Sequence, residues 1–369
     1  MSGTPEQGRA TDRAARRLGR WRLLRVLQTF SSIDRCKCCY RSRLPGRVPQ
    51  VRQKDGTAYY AGLQVCGNQW CCPICGAKIR AARALQISAM MLAWIARGNT
   101  CLLLTLTLRH SWDRLADLCD DLSAAMSYTF SGRPWRRARD AYAVRHYART
   151  YDVTHGAAGW HPHFHCVLWV EGPVDDATVQ ALEDWVWDRW STWFVRRRAH
   201  QPNRRVGIDL RRCGTAQVGA YVAGIKSSAG DPAALEVTRW DMKRGKGSRT
   251  PLEILADLGA HGEDRDLRLW RDWERAMKGR RWIQFSRGAQ RELLPDPDDA
   301  DLSDEELAAR EIDGEPVLEL SAEEWLAVLT VEGRCRLLEI VETLGAEAAS
   351  RYLLWCMDRA GMEHGLRPP

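Results

Sequence analysis

Two histidines separated by one bulky apolar residue constrain this chain more than any other feature of its sequence. His163, Phe164 and His165 lie in the segment 159–170, whose aromatic, β-branched and apolar residues favour a β-strand. Alternate side chains of a strand face the same side, so His163 and His165 point together while Phe164 points into the core. Two imidazoles on one sheet face can bind a divalent metal ion.

Histidines with this spacing can also be ordinary surface or core side chains. His161 adds a third histidine in the same alternation, which favours the metal-binding interpretation. The sequence therefore predicts a metal site on this strand, with His163 and His165 as ligands.

A second candidate metal site is a group of cysteines near the N-terminus. Its members are Cys36, Cys38, Cys39, Cys66, Cys71, Cys72 and Cys75. The Cys-x-x-Cys spacing of Cys72 and Cys75 lets two thiolates bind one zinc ion from a tight turn, and tetrahedral zinc takes four ligands. Incidental buried cysteines and a thioredoxin-like redox pair are the alternatives, but the additional cysteines and the lack of a βαβ pattern argue against the redox pair.

The cellular compartment bears on how these cysteines are used. The chain has no run of 18 or more apolar residues, and its first 20 residues are polar and arginine-rich without an apolar core. We therefore expect no membrane span, no secretory signal and a cytoplasmic location. Disulfides are rare in that compartment, so metal binding is the better explanation for clustered cysteines.

Charge is distributed unevenly along the 369 residues. Residues 291–369 carry 20 acidic and 7 basic side chains, a net charge of −13, whereas residues 1–290 carry 48 basic and 27 acidic side chains, a net charge of +21. A segment this basic suits the phosphate backbone of a nucleic acid, although solvated arginine-rich faces would give the same composition. The acidic part is expected to be a separate, helical appendage.

The 17 tryptophans are also far above ordinary usage. Several lie at helical spacing in the segment 184–194, which is typical of a helix that packs its aromatic face on a sheet. An exposed tryptophan could instead stack on a nucleic-acid base, but the sequence does not identify which one would do so.

A metal-binding histidine pair in a basic chain is typical of phosphodiester chemistry. The metal would polarise a phosphate oxygen and stabilise the charge that develops there. Hydrolysis would use water as nucleophile, whereas strand transfer that conserves the bond energy would use a tyrosine. Tyr221 lies on a predicted short helix with Lys226 nearby, although a single tyrosine on a helix is usually a core residue.

Three segments, in this order, resemble the motifs of the replication initiator (Rep) proteins of rolling-circle plasmids. They are Leu-Thr-Leu-Thr-Leu at 104–108, Gly-Trp-His-Pro-His-Phe-His at 159–165, and Ala-Tyr-Val-Ala at 220–223 with Lys226. The resemblance is to the Rep family on plasmids of Gram-positive bacteria, especially actinobacteria. The segment 62–79 also looks like the cysteine motif of that family, and the resemblance covers roughly residues 60–230.

This resemblance implies a bacterial endonuclease with the histidine–hydrophobic–histidine (HUH) fold. Such an enzyme nicks one strand of single-stranded or hairpin origin DNA, its tyrosine takes the 5′-phosphate covalently, and Mg²⁺ or Mn²⁺ assists. The metal pair would be His163 and His165 and the nucleophile Tyr221. The Glu-Val-Thr pattern of the family corresponds to Asp-Val-Thr at 152–154, so Asp152, across the hairpin, would complete the site.

The cysteine motif implies a structural zinc ion. The family pattern fits Cys66, Cys72 and Cys75 together with one upstream ligand, for which we choose Cys36 over the two other upstream cysteines. A host helicase or polymerase is a further expected partner.

The predicted elements indicate an α+β fold with a mainly antiparallel sheet and helices on one face. We divide the chain into a basic flexible arm (1–33), a cysteine-rich zinc-binding segment (34–76), an HUH endonuclease and DNA-binding domain (77–290), and an acidic helical C-terminal region (291–369). Two other functions remain open. A single-tyrosine HUH transposase would share all three motifs, and a zinc-containing DNA-binding protein without catalytic activity would share the composition.

Overall fold

The computed structural model describes residues 5–213, 247–296, 300–311 and 313–363. The helices are α1 (Pro5–Phe30), α2 (Asp34–Lys37), α3 (Cys75–Ala96), α4 (Leu115–Thr129), α5 (Gly132–Ala141), α6 (Asp176–Arg197), α7 (Arg204–Gly207), α8 (Pro251–His261), α9 (Asp264–Met277), α10 (Ala289–Leu293), α11 (Asp304–Ala309), α12 (Ala322–Thr330) and α13 (Arg334–Glu363). The strands are β1 (Gln50–Lys54), β2 (Thr57–Ala61), β3 (Thr100–Thr107), β4 (Val144–Gly156), β5 (Gly159–Val170), β6 (Ile208–Cys213), β7 (Ile283–Phe285) and β8 (Glu315–Glu319). None of the helices in these ranges is long and apolar enough to span a membrane.

The chain forms two compact units. The terminal unit comprises Met1–Ala77 and Asp304–Pro369, and the central unit comprises Lys78–Ser303. This grouping differs from the predicted four-part division, because the cysteine-rich segment and most of the acidic region belong to one unit. Helix α1 also occupies most of the segment that was expected to be a flexible arm.

A three-stranded antiparallel sheet joins the two ends of the chain within the terminal unit. Strand β1 pairs with β2 on one side and with β8 on the other, so that Val51 lies opposite Tyr60 and Leu318. The β1–β2 turn places Asp55 and Gly56 in the left-handed region, as a two-residue hairpin turn requires. The acidic region is therefore not the appendage that its charge suggested, because one of its strands belongs to this sheet.

Trp325 anchors the acidic region in the core of the terminal unit. Its side chain is buried, its indole N–H donates to the Arg41 carbonyl at 2.8 Å, and its ring meets Tyr60 edge-on at 5.2 Å. The Tyr60 hydroxyl in turn donates to the carbonyl of Arg334 at 2.7 Å. Packing and hydrogen bonding thus connect residues almost 300 positions apart in sequence.

We expect Trp325→Ala to lower the free energy of unfolding by about 3–5 kcal/mol, because it leaves a large buried cavity and an unpaired carbonyl. Chemical denaturation followed by circular dichroism measures this loss. Trp355→Ala is the matched control in the same unit, since 49 % of that residue is exposed, compared with 3 % of Trp325. Equal losses in the two variants would contradict this account of the core.

The central unit contains a five-stranded sheet in the order β6-β3-β5-β4-β7, and every neighbouring pair is antiparallel. The prediction of an α+β fold with a mainly antiparallel sheet is confirmed. The β4–β5 hairpin turns at residues 157–158, between Gly156 and Gly159. Gly159 has φ +87°, and a Cβ there would lie 3.1 Å from the backbone of Trp112, so this position requires glycine.

One face of this sheet is covered by helix α4. Tyr151 and Phe164 lie opposite each other on β4 and β5 with ring centroids 4.5 Å apart. The Tyr151 hydroxyl hydrogen-bonds to the Cys119 carbonyl and the Ser123 hydroxyl of α4. Because side chains alternate along a strand, the residues next to Tyr151 and Phe164 face the opposite side of the sheet.

Helix α6 packs an apolar stripe inward, and of the predicted aromatic face Trp190 and Phe194 are fully buried. Asp175 caps its N-terminus by accepting a hydrogen bond from the Thr178 amide at 2.8 Å. Its buried residues recur every four positions, at Leu182, Val186, Trp190 and Phe194. The Trp190 indole N–H donates to the carbonyl of Thr107 at 2.8 Å, which fixes α6 to the end of β3.

Candidate metal centres

The register of β4 and β5 brings the three predicted ligands of the catalytic ion together. Asp152 is the direct cross-strand partner of His163, and His165 follows two residues later on the same face. On the other side of β5, Thr105 of β3 is the partner of His165, and its hydroxyl lies 3.2 Å from His165 Nδ1. Thr105 is a residue that sequence reasoning missed as a partner of this site.

The spacing of the three side chains fits a shared metal ion. Nε2 of His163 and Nε2 of His165 lie 3.1 Å apart, and the Asp152 Oδ2 atom lies 3.3 Å from the first and 3.6 Å from the second. Atoms bound at about 2.1 Å to one ion are separated by roughly 3.0–3.4 Å in octahedral or tetrahedral geometry. One carboxylate and two imidazoles are therefore placed where they could bind one divalent cation.

The electrostatics of the site also favour a cation. Burial alone would raise the pKa of the Asp152 carboxyl, but the His163 and His165 imidazoles hold that pKa well below its usual value. The carboxylate is thus ionised although only 4 % of the residue is exposed. Buried charge of this kind needs a partner of opposite sign.

His161 stands beside this site without belonging to the ligand set. Its ring lies 5.1 Å from that of His163 and stacks on His110 at 4.6 Å. Burial, together with the neighbouring His163 and His110 imidazoles, lowers the pKa of His161 to about 4, so its ring is neutral at physiological pH. Neither sequence spacing nor charge indicated His110 as a neighbour, because it lies in the loop after β3.

The predicted nucleophile Tyr221 and its neighbour Lys226 lie outside the described residues, which exclude 214–246. Their positions relative to the histidines therefore stay a prediction.

We expect His163→Ala and His165→Ala each to weaken Mn²⁺ binding by more than about 10-fold, because each removes a ligand and even outer-shell changes cost 10–100-fold. Isothermal titration calorimetry of the purified full chain measures the affinity. His161→Ala is the matched control, since it removes an imidazole from the same strand but no ligand atom. Equal losses in all three variants would show that the ligand set is wrong.

Four cysteines of the terminal unit form a second, sulfur-only cluster. Its sulfur atoms lie 3.6–3.7 Å apart in the pairs Cys39–Cys72, Cys39–Cys75 and Cys66–Cys75. Four thiolates bound tetrahedrally at about 2.3 Å to one zinc ion are roughly 3.8 Å apart. All four side chains are buried, so this cluster could hold a metal such as zinc.

Backbone amides point at these sulfur atoms, as they do around thiolates. The amide of Cys66 donates to Cys39 Sγ, that of Asn68 to Cys66 Sγ, and that of Cys75 to Cys72 Sγ, each at 3.4 Å. Such bonds favour the charged form of sulfur that metal binding needs.

The structure corrects one predicted zinc ligand. Cys39, and not Cys36, joins Cys66, Cys72 and Cys75. Cys36 lies in the short helix α2, three residues earlier, and is fully buried as well. Its thiol hydrogen-bonds to the Cys66 sulfur and contributes most to lowering the pKa of Cys66. Cys39 lies two residues beyond the end of α2, and its sulfur is the one that lies within reach of the other three.

We expect Cys39→Ser to abolish stoichiometric zinc binding, whereas Cys36→Ser should retain one zinc ion per chain. Elemental measurement of the purified proteins by plasma mass spectrometry gives the metal content. Because a structural zinc site contributes directly to folding, Cys39→Ser should also lower the melting temperature more than Cys36→Ser. Loss of zinc in Cys36→Ser alone would restore the original assignment.

Comparison with known proteins identifies the family of this chain. A family model described as "Replication protein" matches residues 59–328. A relative named "Protein rep" from Streptomyces lividans is 32 % identical over 322 residues, which cover 70 % of this chain and 70 % of that protein. A second relative, named "Neomycin resistance protein" from Streptomyces cyanogenus, is 30 % identical over 178 residues, which cover 38 % of this chain and 40 % of that protein.

No solved structure matches this chain. The family assignment is therefore based on sequence. The match includes β3 to β8, the end of β2 from residue 59 onward, and both candidate metal centres apart from Cys39. Rep replication proteins are generally endonucleases that bind origin DNA. The chain belongs to this replication protein family of plasmid Rep initiators.

Proposed function

We propose that this chain is the initiator endonuclease of a rolling-circle plasmid, with the HUH site formed by Asp152, His163 and His165. It nicks one strand at the origin and later rejoins that strand. The observation that carries this proposal is the convergence of these three side chains on one face of the sheet, with ligand atoms 3.1–3.6 Å apart. Membership of the replication protein family supports an initiator over a transposase that would share the same motifs.

The residues of the site would hold and orient the catalytic ion. Asp152 supplies the negative charge, and His163 and His165 supply neutral nitrogen ligands. The Thr105 hydroxyl contacts Nδ1 of the His165 ring. The other ring nitrogen of His165, Nε2, therefore faces the proposed ligand cluster. When bound, Mg²⁺ or Mn²⁺ supplies positive charge to an oxygen of the scissile phosphate.

Tyr221 is the proposed nucleophile. Its hydroxyl oxygen, once deprotonated, attacks the scissile phosphorus and forms a P–O bond, while the bond from phosphorus to the 3′ oxygen breaks. The 3′ oxygen takes up a proton and becomes the primer for replication, and the 5′-phosphate stays on the tyrosine. Rejoining runs the same exchange in reverse, with a 3′-OH as the attacking group.

The charge distribution supports DNA as the substrate. Residues 1–290 have a net charge of +21, so binding should release many counterions and weaken steeply with salt. The zinc-type cysteine cluster has a structural role in this proposal, because four thiolates leave no open position for a phosphate. A cytoplasmic location and a host helicase or polymerase partner stay predictions.

We expect Tyr221→Phe to abolish the covalent adduct with a single-stranded origin oligonucleotide while DNA binding persists, because only the hydroxyl is removed. Denaturing gel electrophoresis of the protein with a labelled oligonucleotide and Mn²⁺ detects the adduct. Tyr142→Phe is the matched control, since that hydroxyl bonds only to the Ala181 carbonyl among the described residues.

Three outcomes would change the proposal. Cleavage without any adduct in the wild type would indicate water as nucleophile. An adduct in Tyr221→Phe would identify another tyrosine. Metal-independent DNA binding without cleavage would favour a DNA-binding protein that has no catalytic activity.

A further inference from the structure

Trp112 is the most exposed tryptophan in the part of the chain that the structure describes. It lies in the loop between β3 and α4, and 66 % of the residue is exposed. Its backbone has φ +53°, in the left-handed region that bulky residues rarely adopt. Both features cost free energy, and a strained backbone that holds an apolar side chain in solvent is typical of a binding site.

The β4–β5 hairpin fixes Trp112 in this position. The Trp112 amide donates to the Ala158 carbonyl at 3.0 Å, and the ring of Trp112 lies edge-on to His155 at 6.3 Å. Gly159 gives the loop the room it needs, because a Cβ at that position would collide with the Trp112 backbone. The indole is therefore presented by a rigid support.

The residues on either side of Trp112 line a cleft. One hollow of about 390 Å³ is bounded by residues 109–111 and 113 together with 198–201. It shares Arg109, His110 and Gln201 with a second hollow of about 630 Å³ that extends to His161. Because they share these three lining residues, the two hollows are neighbours along the loop.

Backbone strain is concentrated around this cleft. Of the seven non-glycine residues with positive φ among the described residues, three border it: Trp112, Arg198 and His200. Arg198 occupies the left-handed position that ends α6, where glycine is usual. The Arg109 amide donates to the His200 carbonyl at 3.1 Å and so ties the two walls together.

The charges of the cleft suit a phosphate chain. Within the described ranges, the guanidinium groups of Arg109 and Arg198 form no ion pair. His200 lies between two carboxylates, with Nδ1 at 2.7 Å from Asp121 and Nε2 at 3.5 Å from Asp113. Asp113, the acidic side chain that lines the cleft, is therefore already paired with His200. The two arginines are then the charged groups of the cleft that can pair with an anion.

The cleft begins beside the candidate metal centre. The His110 ring stacks on His161 at 4.6 Å, and the His161 ring lies 5.1 Å from that of His163. A strand whose phosphate lies at the metal centre would therefore continue into this cleft.

We infer that this cleft binds the single-stranded DNA flanking the scissile phosphate, with Trp112 stacked on a base and Arg109 and Arg198 paired with phosphates. This inference rests on the proposed function, because that function places the scissile phosphate at the metal centre. Beyond that function, the cleft is a separate binding site whose residues position the strand. Base stacking on an aromatic side chain tolerates every base, so Trp112 provides affinity without sequence preference.

Fluorescence anisotropy with a labelled oligothymidylate of about 12 nucleotides tests this binding on the full chain. We expect Trp112→Ala to raise Kd by about 5- to 100-fold with an unchanged salt slope, and Trp112→Phe to restore most of the affinity. Arg109→Ala should instead reduce the salt slope by about one, because one phosphate contact is lost. Trp355→Ala is the matched control, since that exposed indole belongs to the terminal unit.

Photo-crosslinking gives an independent readout. An oligonucleotide that carries 5-iodouracil, irradiated in complex with the wild-type protein, should attach to the peptide that contains Trp112, as mass spectrometry can determine. An unchanged Kd in Trp112→Ala, or crosslinks confined to other peptides, would overturn the inference. If the wild type forms no covalent adduct but its binding still depends on Trp112, then the proposed function fails and the binding site stands.

Discussion

The antiparallel pairing of β4 with β5 is the constraint on which the candidate catalytic site depends. Its register sets Asp152 against His163, and the pleat turns both toward the face that α4 leaves free. A slip of one residue would move Asp152 to the opposite face and place Tyr151 among the histidines. The contacts of Tyr151 with α4 oppose that slip. Packing on one face of the sheet therefore determines which side chains come together on the other face.

The terminal unit depends on a different kind of constraint. Four sulfur atoms come from three separate parts of the chain, at Cys39, Cys66 and the Cys72–Cys75 turn. They hold together a region whose strands are only five residues long. Strand β8 completes the sheet from the far end of the sequence. The boundaries of this unit along the sequence could therefore not be inferred from charge composition. Backbone hydrogen bonds between strands do not depend on the net charge of a segment.

Backbone strain and an exposed tryptophan occur together at the surface around the candidate metal centre. Trp112 and Arg198 hold unfavourable backbone conformations next to a cleft, whereas Phe164 and Trp169 of the sheet are fully buried. The rigid hairpin that presents Trp112 is the same hairpin that presents His163. Under the proposed function, one structural element would position both the reacting phosphate and the strand that leads to it.

The sequence by itself determined the features that depend on near neighbours. The two-residue period of a strand put His163 and His165 on one face, and the helical spacing of the tryptophans in 184–194 predicted a helix where α6 lies. The sequence also contained a signal that was missed, Asp55-Gly56, which marks the β1–β2 hairpin within the cysteine-rich segment. The tertiary structure alone decided that Cys39 joins the sulfur cluster and that β8 pairs with β1. Those outcomes depend on contacts between residues distant in sequence, and local patterns carry no information about which distant partner a side chain or strand will meet.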